Sequence, residues 1–203
     1  MHFGTNYYLC VMVKADTLKK HLRPGHVYRR AELAQWSNAV DRHLAMLLDE
    51  GSLQKVSTGL YYYPGQSVFG TTPPEESRLI QSFLKDDDFL VTSPNMYNAL
   101  GAGTTQLYNK TTVYNHKRHG EFKLGNRTYD FQVKHRFPAK LSKEFLLVDL
   151  VNNLDHLSEN PADILKNVTD RVREMDRKKL SVTVKRYGNN KTKKILLPVL
   201  NEN

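Results

Sequence analysis

Hydrophobic positions between residues 26 and 64 follow two different periods. Across residues 38–49 the apolar Val40, Leu44, Leu47 and Leu48 recur at helical offsets, while Asn38, Arg42, Ala45 and Asp49 project from the other side. Ser37 stands where an N-cap is needed and Gly51 where the helix must stop. Residues 30–36 form a shorter piece that is apolar on one side through Ala31, Leu33, Ala34 and Trp36. Two short strands follow, at 53–56 and 60–63, joined by Ser57, Thr58 and Gly59, where glycine supplies the positive φ of a tight hairpin. His26, Val27 and Tyr28 add a third extended piece. Two helices across a tight turn, then a hairpin, predict a winged helix-turn-helix.

The same reading organises the rest of the chain. A helix is expected over 7–22, stopped by Pro24 and Gly25. Residues 65–74 are rich in turn formers and poor in apolar side chains, so they are the expected linker between domains at 1–72 and 73–203. Beyond it the pattern predicts a helix at 75–85, a buried strand at 89–92 and a short helix at 94–100. Strands at 111–116, 121–124 and 128–135 follow, with Gly125 and Asn126 as a turn, and these are expected to form an antiparallel meander. From residue 142 the period is helical: 143–157, 161–175, 177–187 and 191–200, the last two about Gly188. The fold class is α+β: an N-terminal winged helix-turn-helix, then a C-terminal α+β domain with a small antiparallel sheet and a terminal helical bundle.

Charge narrows the partners. The chain of 203 residues has 30 Lys+Arg against 21 Asp+Glu, a net charge of +9, which favours polyanions. Residues 1–72 carry a net +3 and residues 73–203 a net +6. Within the second part, residues 177–194 hold eight basic side chains and no acid: Arg177, Lys178, Lys179, Lys185, Arg186, Lys191, Lys193 and Lys194. No stretch approaches the roughly 18 apolar residues of a membrane span, and the N-terminus has no signal-peptide pattern. Cys10 is the sole cysteine, so neither an internal disulfide nor a cysteine-based zinc site can form. A cytoplasmic protein is expected, without a membrane partner.

Double-stranded DNA is the polyanion that a winged helix reads. The helix over 38–49 would enter the major groove by its N-terminal end, and the hairpin tip would rest on the backbone. The candidate DNA-facing residues are Arg29, Arg30, Ser37, Asn38, Arg42, Lys55 and Thr58. Arg42 either pairs with guanine O6 and N7 or is a solvated arginine bonded to a nearby aspartate. Asn38 either reads adenine or meets a phosphate at the helix N-terminus. Arg29 and Arg30, opening the supporting helix, would position the protein without specifying sequence. Asp41 and Asp49 oppose phosphate and read as solvated charges or partners of an arginine. Alternation puts Tyr61 and Tyr63 on one face of their strand and Tyr62 on the other, which favours wing packing over base stacking.

No catalytic constellation stands out. His116 and His119 flank a turn with no carboxylate or thiol to complete a metal set. Asp86, Asp87 and Asp88 point in successive directions, and Gly101 and Gly103 lack the lysine of a phosphate-binding loop. No metal, cofactor or catalytic residue is assigned, and an enzyme is not expected. Two other readings stay open: a nucleic-acid-processing enzyme whose winged helix positions substrate, and a module whose helix-turn-helix docks a protein.

A helix ending LLDEG, a strand, and then GLYYYP over residues 59–64 resemble the AbiEi-type antitoxins of bacterial type IV toxin–antitoxin systems. The likeness continues through Ser93-Pro94 with Asn98-Ala99-Leu100-Gly101, through Asn126-Arg127-Thr128, and through Tyr187-Gly188, covering about residues 25–200. The resemblance implies a winged helix that binds inverted repeats in its own promoter, as a homodimer on DNA, and represses the operon. It implies a C-terminal domain that neutralises a nucleotidyltransferase-like toxin without requiring a stable complex. Carried over by position, the DNA-facing residues are Asn38, Arg42 and the wing about Lys55 and Thr58. The basic run at 177–194 would then serve as an antitoxic surface or a second nucleic-acid contact.

Overall fold

A computed structural model describes residues 17–201. The expected helix at 7–22 lies mostly outside the described residues; 17–19 are helical, and Leu18 and Leu22 are buried. Strands β1 (His26–Arg29), β2 (Gln54–Ser57) and β3 (Leu60–Tyr63) form an antiparallel sheet in the order β1-β3-β2. Between β1 and β2 come α1 (Arg30–Leu33), a 3-10 turn at Ala34–Trp36, and α2 (Val40–Asp49). This is the element order of a winged helix-turn-helix.

Helix α2 begins at Val40, two residues after the expected start at Asn38. Ala39 takes φ −133°, outside the helical region, so Asn38 and Ala39 form a turn instead. The stripe itself is as expected: Val40, Leu44 and Leu47 are buried with Leu18, Leu22, Tyr28, Leu33, Leu53 and Tyr61, and Leu48 packs at the margin. Full burial of one such leucine contributes about 1.5–3 kcal/mol. Gly51 (φ +71°) ends the helix and Gly59 (φ +69°) turns the hairpin; both have open space about them, so backbone angle rather than crowding calls for glycine.

The segment expected as a linker is folded. Residues 65–74 contain a hairpin of β4 (Gln66–Ser67) and β5 (Gly70–Thr71). Thr72 N–H donates to Gly65 O at 2.9 Å, and the Tyr62 hydroxyl donates to Thr72 O at 2.7 Å. Helix α3 (Glu76–Leu84), expected to open the second domain, instead packs on β1, with Leu79, Ile80 and Leu84 buried. The division therefore falls between Asp87 and Asp88 rather than at 72/73. Described residues up to Asp87, with Lys123–Arg127, form one unit; Asp88–Phe122 with the residues from Thr128 onward form the other.

The four-stranded sheet has β6 (Phe89–Thr92), β7 (Thr111–Asn115), β8 (Gly120–Leu124) and β9 (Arg127–Val133) in the order β6-β7-β9-β8, and all of it except the β8–β9 connection at Lys123–Arg127 belongs to the second unit. The expected meander is corrected here. β9 inserts between β7 and β8 and runs parallel to β7, from Thr111 opposite Tyr129 to Asn115 opposite Val133. Burial explains the order: β7 and β9 bring the fully buried Val113, Tyr114, Tyr129 and Phe131, whereas β8 keeps Glu121 and Lys123 in solvent and suits an edge.

A 3-10 helix at Pro94–Leu100 and another at Leu154–His156 accompany α4 (Lys143–Asn152), α5 (Pro161–Glu174), α6 (Arg177–Tyr187) and α7 (Asn190–Asn201). Each of the first three α-helices of this group starts on a side-chain cap: Ser142 accepts from Phe145 N–H, Asn160 from Ala162 N–H, and Asp176 from Lys178 and Lys179 N–H. Leu147, Val148, Leu150 and Val151 of α4 meet Ile164, Val168, Val172, Leu180, Val184 and Leu196 in one core. The fold is α+β. Among the described residues no helix is long and apolar enough to cross a membrane.

Candidate nucleic-acid interface

In the winged unit, Arg30 links the hairpin turn to the start of α2. Arg30 N–H donates to Gly59 O at 2.9 Å, which ties the hairpin turn to the start of α1. The Arg30 side chain reaches α2 and forms a bidentate pair with Asp41: Nε to Oδ1 at 2.7 Å and Nη2 to Oδ2 at 2.6 Å. These bonds hold the Asp41 carboxyl below its usual range and raise the guanidinium. Asn38, Arg42, Lys55 and Thr58 are all exposed. Arg42 lies in the first turn of α2, exposed with Ala45 and Asp49.

Two of the expected residues are engaged by the fold. Arg29 donates through Nε to Ser82 O at 2.8 Å, near the end of α3, in a shallow cleft that also holds Glu32, Lys85, Asp86 and Asp87. Ser37 accepts from Ala39 N–H at 3.2 Å, and its hydroxyl lies 2.7 Å from Nδ1 of His43. His43 is a buried histidine on α2 that the apolar period passes over. Tyr61 and Tyr62 are both buried, one beside the helices and the other against Thr72, so the wing packs on both faces.

The basic run forms the outer surface of α6 and the start of α7. Arg177, Lys178, Lys179, Lys185, Arg186, Lys191 and Lys194 are exposed, and Lys193 is half-buried. Lys191 is held by Asp155 at 2.7 Å, which lowers that carboxyl, and Lys179 stands 3.8 Å from Asp176. Arg186 lies 5.3 Å from the centroid of the Tyr187 ring. Among the described residues, Lys178, Lys185 and Lys194 are exposed cations without an ion pair, and the exposed Val182 sits between the first two on α6.

A buried polar cluster that no sequence period marks lies in the second unit. Asp149, on α4, has no exposed surface. It accepts from Tyr97 (2.8 Å), Tyr114 (2.8 Å) and Asn153 Nδ2 (3.1 Å), and Lys134 Nζ stands 3.5 Å away. The same ammonium lies 3.5 Å from the Tyr114 ring centroid. Burial, then the neighbouring carboxylate, drives both phenols well above the usual tyrosine range. Burial lowers Lys134, with Asp149 opposing. An acid inside the apolar run FLLVDLV was the available signal.

Beside this cluster lies a cavity of about 160 Å³. Its lining includes Tyr97, Tyr108, Thr112, Tyr114, Gln132 and Asn153. Elsewhere, His116 pairs with Asp88 at 3.1 Å and stacks on Phe137, and Asp87 accepts from Gln81. Among the described residues no group of three or more His, Cys, Asp or Glu could hold a metal ion.

No protein-family model and no curated protein matches the chain. The fold is similar to the crystal structure of the Rv2827c protein from Mycobacterium tuberculosis, with a TM-score of 0.54 over 93% of this chain and 75% of that chain. At 15% sequence identity, that likeness is one of fold.

Proposed function

We propose that the chain is a winged-helix protein that binds double-stranded DNA at inverted repeats in its own promoter and represses its operon. The observation that carries this reading is the link that Arg30 makes in the winged unit. Its N–H bonds Gly59 in the hairpin turn and its guanidinium bonds Asp41, next to the exposed Arg42 at the start of α2. Asn38 and Arg42 meet base edges, while Lys55 and Thr58 meet the backbone. Binding as a homodimer would match the symmetry of inverted repeats. The protein acts in the cytoplasm, and in this reading it binds rather than catalyses.

The C-terminal unit acts as the antitoxin toward a nucleotidyltransferase-like partner. The resemblance at residues 93–101 and 187–188 supports this role. The three unpaired lysines of α6 and α7 favour a second anionic contact there.

Gel shifts of the full chain on its promoter duplex over a salt series test the DNA reading. Binding should weaken with salt in proportion to the phosphates contacted, and Arg42→Ala should weaken it further. Charge reversal of Lys178, Lys179, Lys193 and Lys194 to Glu, in a chain that circular dichroism shows to be folded, should impair protection of cells expressing the toxin. Full protection by that variant would remove the basic face from the antitoxic role.

A further inference from the structure

We infer that the cavity beside Asp149 receives one amino-bearing nucleobase, from a free nucleotide or from an unpaired position of a strand. The inference begins with which hydrogen-bonding atoms are left over. Gln132 donates through Nε2 to the Asp130 carboxylate at 2.7 Å, and Asn153 donates through Nδ2 to Asp149 O at 2.8 Å and to its Oδ1 at 3.1 Å. Those partners can only accept, so the orientation of both amides is determined. Among the described residues their carbonyl oxygens have no partner, and both are open to solvent. Thr112, a residue 6% exposed, also lines the cavity; its hydroxyl is open to solvent and has no partner among the described residues.

The tyrosines of the lining offer rings rather than donors. Tyr97 and Tyr114 direct their hydroxyl hydrogens to Asp149, and Tyr108 directs its own to Glu159 at 2.6 Å. The inner lining is therefore aromatic, with the two amide oxygens as its acceptors, while Lys110, Ser93 and the exposed His156 also border the cavity. The lining ammonium of Lys110 is paired with Asp130 at 3.0 Å, and behind the lining Lys134 pairs with Asp149. A flat, neutral ligand with N–H donors fits such a lining; a bare anion or cation does not.

Size limits the ligand to one ring system. A volume of about 160 Å³ equals roughly five waters at about 30 Å³ each and falls below the roughly 300–1,000 Å³ of sites for drug-sized ligands. Adenine and cytosine carry an exocyclic amine where hypoxanthine and uracil carry a carbonyl, so the amine meets the unpartnered oxygens and the carbonyl opposes them. Sugar and phosphate stay outside with the exposed His156. The adjacent Asp155 holds Lys191, the first of the α7 lysines, so a strand leaving the cavity would meet that basic face. The inference does not depend on operator binding by the winged unit, so the two fail separately.

Titration calorimetry of the full chain with AMP, CMP, IMP and UMP tests the base preference. Fluorescence anisotropy with short labelled homopolymers of A, C and U tests the strand. AMP or CMP should bind about tenfold more tightly than its oxo counterpart, the cost of facing acceptors with an acceptor. Binding of AMP or CMP alone assigns the site to free nucleotides; base-selective binding of the strands as well assigns it to unpaired positions. Gln132→Leu and Thr112→Val, each checked for an unchanged melting curve, should weaken the preferred ligand about three- to tenfold while leaving operator affinity as it was. Equal binding of amino and oxo bases, no nucleotide binding at millimolar concentration, or full affinity in both variants would overturn the inference. Strand binding without base preference would also overturn it, since that is a backbone contact.

Discussion

In the winged unit, arginines that a count of charges would hand to DNA are held by the fold: Arg29 by the Ser82 carbonyl and Arg30 by Asp41. In the C-terminal unit the arrangement is reversed. Its cations on α6 and α7 include Lys178, Lys185 and Lys194, which have no ion pair among the described residues, while a buried carboxylate, Asp149, is surrounded by two phenols, an amide and an ammonium. Net charge therefore says little about which surface can meet a polyanion. Hydrogen-bond partners decide it, and they differ between two units of the same sign.

The largest effect expected lies in the second unit. Asp149→Ala leaves Lys134 and two buried phenols without their acceptor, a defect of about 3–5 kcal/mol in urea unfolding. Asp149→Asn, which keeps an acceptor oxygen, should lose less. In the winged unit Leu47→Ala should cost a comparable 2–5 kcal/mol, but through a cavity rather than a broken network. A loss below about 1 kcal/mol for Asp149→Ala, the range of ordinary substitutions, would show that the network contributes nothing to stability.

The contrast between α2 and Asp149 also shows what the residues made legible. The stripe of Val40, Leu44, Leu47 and Leu48 is a local period, and it appears as expected. So does the run of helices after residue 142, because Ser142, Asn160 and Asp176 are local caps. Features that depend on distant partners escaped. Residues 65–74 read as a linker, since glycines, prolines and threonines suit either a linker or a hairpin; the Tyr62 hydroxyl on Thr72 O accompanies the second choice. The pairing of β7 with β9 joins strands that are not consecutive. Tyr97 and Tyr114 lie 52 and 35 residues from Asp149, beyond any period.

Next in size is the operator contact. Arg42→Ala should weaken binding by about 1–3 kcal/mol and relax preference at one base pair. Lys55→Ala should weaken all sequences alike and lower the salt slope by about one unit.

Alkaline unfolding sharpens the comparison further. Tyr97 and Tyr114 titrate above the 10.0 of an exposed tyrosine. Once pH passes that value the unfolded chain loses protons that the folded chain keeps, so stability falls as pH rises. Lys134, lowered from 10.5, gives the opposite slope below that value and none above it. Urea midpoints between about pH 10.5 and 11.5 should therefore drop, and Tyr97→Phe should flatten the drop. An equal drop in the variant would contradict the burial of that phenol.

The smallest effects belong to the engaged arginines. Asp41→Asn should release Arg30 and steepen the salt dependence of DNA binding by up to about one unit. Arg29→Ala should leave DNA affinity unchanged, because its Nε serves Ser82 O. A loss of affinity on Arg29→Ala would return that residue to the interface.

The central claim is that the start of α2 reads double-stranded DNA. Fluorescence anisotropy of the full chain on its promoter duplex, against a scrambled duplex of equal length and at one fixed salt concentration, tests it most directly. The account predicts tighter binding to the promoter, with the preference reduced by Arg42→Ala and by Asn38→Ala. Equal affinity for both duplexes, or a promoter preference that neither substitution alters, would contradict it.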